Sequence, residues 1–261
     1  MARKRLLGVF AHPDDETFGS GSVLAKYAQE GADVSVVCTT RGEVGEIAPG
    51  SEATRDTLGD VREEELRRAA EVLGVKSVIL LGYRDSGMAG SEDNRHPQAF
   101  INAPEEEVVR RLAEIMRRLR PHVVMTMDEA GGYGHPDHIK ASEWTTKAFK
   151  LSGDEGYRME GTRPWRPSKL YYWSIRRSVL RRWAEEMRRR SPDSGLVRLD
   201  PESMGVADER FTTELDASPY VGLRMKAALE HRSQGSPFDG MPEELTREFL
   251  RVDMLIRVFP P

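Results

Sequence analysis

The chain has 261 residues, 31% of them charged and 38% apolar, with a formal net charge of −4. That length and balance suit one large domain with a substantial core, and the mild acidity argues against a nucleic-acid surface. A single cysteine, Cys38, excludes an internal disulfide framework and a cysteine-based zinc site.

Leu6–Ala11 reads as a buried strand, and His12-Pro13-Asp14-Asp15-Glu16 follows it directly. Gly19–Ala28 has a helical pattern closed by Gly31, and Val34–Thr39 is a second strand in which Cys38 is expected to be a buried, inert thiol. Residues 41–59 are loop-like. Asp60 is predicted to cap the next helix, with Glu63 completing a capping box. Leu66, Ala69, Ala70 and Leu73 share one face of that helix, and Gly74 terminates it. Ser77–Leu81 is a third strand. Gly82–Ala103 is a long loop, a length that is usually functional in a compact domain. Pro104 and three glutamates then open a helix whose apolar face is Val108, Leu112, Ile115, Met116 and Leu119. Val123–Met127 is a fourth strand, Asp128–Gly134 a glycine-rich loop, and Pro136 suits the first turn of another helix.

Alternating strands and helices predict an α/β fold, a Rossmann-like, mostly parallel sheet covered by helices on both faces, with right-handed crossovers. The second half is less regular. After a loop at 152–167 come a strand at Lys169–Ile175, a polar helix at Val179–Arg190, a strand at Phe211–Leu215, a helix at Val221–His231 and a strand at Phe249–Phe259. With no repeats and no clear linker, 1–261 reads as one domain: a core at 1–152 and an irregular 153–261 that shapes a pocket. The arginines at 117, 118 and 120 and at 188–190 read as solvated faces and helix C-termini. No apolar run approaches the roughly 18 residues of a membrane span. The basic N-terminus leads into an apolar run that stops at Ala11 without a cleavage-like site, so a cytoplasmic protein is expected.

Ligands of open parallel sheets bind beyond the carboxyl ends of the strands, where strand order reverses. In the order 3-2-1-4, strands one and four are neighbours there. That order brings His12, Asp14 and Asp15 against Tyr133, His135, Asp137 and His138. Acids before a helix also serve as caps and dipole partners, but two such clusters juxtaposed by topology point to a bound cation. A catalytic zinc takes three protein ligands and keeps one open position. His12, Asp15 and His138 would supply them, leaving Asp14 free to take a proton from an activated water. His135 could face the same cavity with Asp137 orienting it, and the Tyr133 phenol could donate to an oxyanion. Two histidines and a carboxylate equally describe a non-haem iron oxygenase, which has no need of a base at Asp14. Gly19-Ser20-Gly21 lacks the spacing of a dinucleotide-binding loop and follows acids that would repel phosphate.

Ala11-His12-Pro13-Asp14-Asp15-Glu16 together with Gly134-His135-Pro136-Asp137-His138 resembles the LmbE-like, or PIG-L, family of zinc-dependent N-acetylglucosaminyl de-N-acetylases. The resemblance runs from strand one to about Gln234. It implies one zinc ion per chain on His12, Asp15 and His138, and Asp14 as general base. It further implies that His135, with Asp137 behind it, assists the tetrahedral intermediate or leaving amine, and that Tyr133 stabilises an oxyanion. Sugar-binding roles are implied for Arg62, for Asp85 and for Glu43. On their own residues, Arg62 reads equally as an exposed helix residue and Asp85 as a turn former. Arg84-Asp85-Ser86-Gly87-Met88 is similar to the mycothiol-type branch of deacetylases and amidases.

The expected activity is removal of an acetyl or larger acyl group from the amide nitrogen of a small-molecule N-acetylglucosamine conjugate, by a hydrolase of linear amides. The alternatives are an iron enzyme on the same ligands and an amidase of non-sugar amides. The family often forms homo-oligomers. Of the other histidines, His122 reads as structural and His96 as solvent-exposed. His231 lies in Glu230-His231-Arg232-Ser233-Gln234, a string similar to the family's, and the residues alone give it no role.

Overall fold

Strand β1 (Arg5–Phe10) is buried from Leu6 onward because it lies in the middle of the sheet, with neighbours on both edges and helices on both faces. The computed structural model describes residues 3–190, 200–236 and 241–260. Among these residues seven strands form one sheet in the order β3-β2-β1-β4-β5-β7-β6. The others are β2 (Asp33–Thr40), β3 (Ser77–Tyr83), β4 (Val123–Met127), β5 (Lys169–Trp173), β6 (Thr213–Asp216) and β7 (Val252–Phe259). From β3 to β5 the pairing is parallel; β7 runs antiparallel to both β5 and β6. The sheet therefore has the expected 3-2-1-4 start, and the strands of the second half extend the same sheet.

The helices in chain order are α1 (Asp15–Phe18), α2 (Gly21–Gln29), α3 (Leu58–Leu73), α4 (Glu105–Leu119), α5 (Gly131–Gly134), α6 (Pro136–Ser152), α7 (Arg177–Arg190), α8 (Pro201–Met204), α9 (Val221–Ala228) and α10 (Glu243–Leu250). Side chains of β1 divide between two cores. Leu7 and Val9 join Leu112 and Met116 of α4 and Trp144 of α6; Leu6 and Phe10 join Leu24 of α2, Leu66 and Leu73 of α3, and Ala227 of α9. Strands buried on both faces read as continuous apolar runs, which is why β1 and β4 were legible without alternation.

Several local expectations shift. The Asp60 capping box does not form. Thr57 holds the N-cap position and α3 begins at Leu58, while the Asp60 carboxylate is engaged by the Arg41 guanidinium. The expected helix at Gly19–Ala28 is α2, which starts at Gly21, and the single turn α1 precedes it. Helix α9 ends at Ala228, short of His231. Phe249 and Leu250 close α10, and the last strand starts only at Val252. The 82–103 segment is ordered by two 3-10 turns, by fully buried Phe100 and by the Asn94 amide, which donates to the Ser86 and Met88 carbonyls. Arg117 is buried and donates to the carbonyls of Leu151, Ser152 and Asp154, closing the C-terminal end of α6. No described helix is long and apolar enough to cross a membrane.

Candidate active site

Adjacent β1 and β4 point their carboxyl ends at the same crevice, and the loop after each carries its cluster into it. His135 holds the N-cap position of α6, its Nδ1 accepting from the Asp137 N–H at 3.2 Å, with Pro136 in the first turn. That cap aims His138, in the first turn of α6, at His12. The α5 turn before it approaches so closely that a Cβ on Gly131, at φ +65°, would lie 2.8 Å from the His138 Cβ. Only glycine fits there.

His12 Nδ1 and His138 Nε2 are 3.0 Å apart. The Asp15 carboxylate closes a triangle, with Oδ1 3.3 Å from His138 Nε2 and Oδ2 3.7 Å from His12 Nδ1. The outer nitrogens are committed. His12 Nε2 faces Asp137 Oδ2 at 3.3 Å and Asp85 Oδ1 at 3.5 Å, while His138 Nδ1 faces the Gly131 carbonyl at 3.2 Å. Acceptors at both outer positions put hydrogens there, so the two inner nitrogens turn lone pairs toward each other and toward a carboxylate. Such a triangle is stable only around a proton or a cation. Nitrogen and oxygen ligands about 2.0–2.1 Å from a tetrahedral zinc stand roughly 3.3 Å from one another, so these donors fit the ion. Two other donor sets lie within 4.8 Å of one another: His12 with His135 and His138, and His12 with Asp85 and Asp137.

The electrostatics agree with this picture. Burial disfavours a charged His12, but the carboxylates of Asp85, Asp137 and Asp15 outweigh it and hold the ring well above its ordinary value. Burial and the His12 charge push His138 well below its own. Burial, with the His12 and His138 rings beside it, lowers His135 to about 3.

Asp14 sits at φ +123° and ψ −33°, outside the regions a residue with a Cβ prefers. Its N–H donates to Glu16 Oε2 at 2.9 Å, and its Oδ2 lies 3.3 Å from Arg62 Nη2. Burial raises its carboxyl to about 7 against the opposing pull of Arg62. Arg62 is not an exposed helix residue. It is 5% exposed and also donates to the carbonyls of Gly42 and Pro13 and to Gln234.

Asp137 does not stand behind His135 as expected. Its Oδ2 receives the Ser86 N–H at 2.9 Å and faces His12 Nε2, so its carboxylate serves the other histidine. Asp85 is buried beside it and accepts from the Gly87 N–H. Tyr133 is half exposed, its ring centroid 5.1 Å from His138 and 6.1 Å from His135. Burial of its hydroxyl end and the Asp15 and Asp14 charges hold the phenol proton well above the ordinary value. The Glu43 Cβ lies beside Gly59 at the start of α3, and its Oε2 is buried with no hydrogen-bond partner among the described residues. His96 is half-buried, its Nδ1 accepting from the Gln98 N–H. His122 accepts from the Arg5 N–H and meets Trp165 edge to face, a structural role.

Glu16, His231 and Ser233 are given no individual role by the sequence. Glu16, the third acid of the first cluster, is fully buried, and its Oε1 receives His231 Nε2 at 2.8 Å. Ser233 binds both oxygens of Glu65 on α3, at 2.8 and 2.6 Å. The Glu230–Gln234 string is thus the clasp that brings the second half of the chain onto the first cluster.

The family described as PIG-L: GlcNAc-PI de-N-acetylase matches residues 7–149. The chain is 43% identical over 241 residues to 1D-myo-inositol 2-acetamido-2-deoxy-alpha-D-glucopyranoside deacetylase of Thermomonospora curvata, covering 88% of this chain and 80% of that one. It is 40% identical over 266 residues to the deacetylase of the same name from Thermobispora bispora, covering 97% and 87%. Among solved structures it is similar to N,N'-diacetylchitobiose deacetylase from Pyrococcus horikoshii, with a TM-score of 0.69 at 20% identity over 97% of this chain and 83% of that one. At that identity the likeness speaks for the fold.

Proposed function

The chain belongs to the PIG-L family of de-N-acetylases, and on that footing we propose that it is a zinc-dependent amidase that removes the acetyl group from an N-acetylglucosaminyl-inositol. The sugar and aglycone are those in the names of the Thermomonospora and Thermobispora relatives. One observation carries the metal-dependent reading: His12 Nδ1, His138 Nε2 and the Asp15 carboxylate converge with their outer positions already bonded. We assign the zinc to these three. His135 is the weaker third ligand, because its Nδ1 is used in capping α6.

A zinc ion held there would supply Lewis acidity toward the acetamide carbonyl and lower the pKa of water to about 7. Asp14 is placed to take the proton of the attacking water. A carboxyl raised to about 7 is matched to this work near neutral pH, and the Arg62 guanidinium holds one of its oxygens. His135 has Nδ1 occupied, so its free donor is Nε2–H, and a ring lowered to about 3 stays neutral. It serves as a hydrogen-bond donor to the developing oxyanion and not as a proton source. Tyr133, kept as a phenol over the same rings, offers a second donor. The proton of the leaving amine therefore returns from Asp14. A base beside the ligand set also favours hydrolysis over oxygen chemistry, which needs none.

The test is a stoichiometric one. Protein reconstituted with zinc is incubated with N-acetylglucosaminyl-inositol, and primary amine and acetate are both counted. Equal release that stops on chelation supports the reading. Release from N-acetylated peptides alone would keep the amidase and discard the sugar, and no metal-dependent amine release from any N-acyl sugar conjugate would overturn the function.

A further inference from the structure

Asp14 begins and ends a closed circuit of hydrogen bonds that passes through both halves of the chain. Its backbone N–H donates to Glu16 Oε2 at 2.9 Å. The other oxygen of that carboxylate receives His231 Nε2 at 2.8 Å. On the far side of the ring, His231 Nδ1 lies 3.4 Å from the Gln234 amide nitrogen. Gln234 Oε1 accepts from Arg62 Nη2, and the same guanidinium nitrogen returns to Asp14 Oδ2 at 3.3 Å. One protonation pattern satisfies every step. The carboxylate can only accept, so His231 Nε2 carries a hydrogen; the guanidinium can only donate, so Gln234 turns its oxygen to Arg62 and its NH₂ to a bare His231 Nδ1.

The circuit acts where the backbone is strained. At φ +123° and ψ −33° Asp14 occupies a conformation that persists only when its surroundings over-determine it. The carbonyl side is set by α1, whose Thr17 and Phe18 N–H groups both donate to Asp14 O, at 2.9 and 2.7 Å. The N–H side is set by Glu16 alone. The Glu16 and His231 side chains are both 0% exposed, so bulk solvent does not reach their contact; the Thr17 hydroxyl donates to the same Glu16 oxygen.

We propose that His231 is a positioning residue for Asp14: it holds the Glu16 carboxylate that fixes the Asp14 peptide, and so presents the Asp14 carboxylate to the site in one orientation. The inference rests on the reading of Asp14 as the base. A histidine needed only for folding would lower stability and leave the turnover of each folded, metal-loaded molecule unchanged. A positioning histidine lowers kcat while KM and metal content hold.

Three variants are compared as zinc-loaded, folded protein on N-acetylglucosaminyl-inositol. His231→Leu is expected to lose about 10- to 100-fold in kcat, the order that follows from a group displaced by about 1 Å, with KM within about twofold. His231→Gln keeps an N–H able to reach Glu16 and should recover most of that loss. Glu16→Gln removes one of the two acceptors without leaving a bare buried charge; it should lose kcat as His231→Leu does, and it decides the matter if the leucine variant fails to fold. Turnover within about twofold of wild type in Glu16→Gln or in His231→Leu would overturn the proposal, as would a glutamine variant no better than a folded leucine variant. Asp14→Asn is run alongside. If it is inactive while His231→Leu is active, only the positioning role fails; if it is itself active, the reading of Asp14 fails first.

Discussion

His12 and His138 meet through ring nitrogens 3.0 Å apart, and neither ring is free to turn away. His12 is held from behind by Asp137 and Asp85, and His138 by the Gly131 carbonyl. Without a metal the contact needs a proton, and the carboxylates of Asp85, Asp137 and Asp15 favour it on His12. The consequence is competition between protons and metal for one point in the site.

His12→Ala, Asp15→Ala and His138→Ala are each expected to abolish amide cleavage and to weaken zinc binding so that less than one ion per chain survives dialysis. In the wild type the apparent zinc affinity should fall as pH falls, because His12 is held above its ordinary value and the metal must displace its proton. Isothermal titration in two buffers of different ionisation enthalpy measures the protons released. Zinc retained with wild-type affinity by all three variants, or uptake with no proton release near neutral pH, would refute the ligand set.

Asp14→Asn should keep its zinc while kcat drops by about 10²–10⁴, the usual worth of a positioned base. The pH profile gives a second reading. A carboxyl raised to about 7 by burial is ionised, and competent as a base, above that value. A bound cation moves it down. Hence kcat/KM should fall with decreasing pH through a limb at or below about 7, and Asp14→Asn should lack that limb. A limb that persists unchanged in the variant would assign it to another group.

The parallel core was legible because buried strands are unbroken apolar runs and because strand-then-helix alternation leaves few topologies. The site was legible for the same reason: 3-2-1-4 order makes neighbours of the loops after β1 and β4, and both carry histidine-aspartate clusters. Side-chain direction was not legible. Asp137 follows His135 in sequence, yet its carboxylate crosses to His12 because the first turn of α6 points it there. Arg62 lies among charged neighbours on α3, and nothing in that pattern says it turns inward to Asp14 and Gln234. His231 falls beyond the end of α9, where periodicity gives no face, and its partner Glu16 lies 215 residues away.

Arg62 and Asp85 were expected to share a sugar-binding role, and their surroundings now separate them. Asp85 faces His12 Nε2, so Asp85→Asn should weaken zinc binding by about 10- to 100-fold, as losses of residues that orient a ligand do. Arg62 faces Asp14, so Arg62→Ala should keep zinc and lower kcat. Metal titration and steady-state kinetics on the same preparations distinguish the two. Two variants that bind zinc normally and differ from wild type only in KM would support the shared sugar-binding role.

The last prediction concerns what holds the first cluster against the rest of the sheet. Arg224 on α9 is buried, with Nη1 2.9 Å from Asp253 Oδ1 on β7 and Nε 3.0 Å from the Thr17 carbonyl; it also donates to the carbonyls of Phe18 and Gly19. One guanidinium thus joins the end of α1 to the antiparallel strand β7. Arg224→Ala leaves the Asp253 charge buried and unpaired, which should cost about 3–5 kcal/mol of stability. Burial already raises Asp253, and losing its cation raises it further. A carboxyl whose folded pKa lies above its unfolded one destabilises increasingly as pH rises between the two values. The deficit of Arg224→Ala should therefore be larger at pH 8 than at pH 5 in urea unfolding. Arg224→Met with Asp253→Leu removes both charges and should recover part of the loss. Full recovery is not expected, because the carbonyls of Thr17, Phe18 and Gly19 lose their donor, at about 1–3 kcal/mol for each left buried without a replacement. A deficit below about 1 kcal/mol in the single variant, or one that does not depend on pH, would mean that water replaces the guanidinium and that this contact does not anchor the cluster.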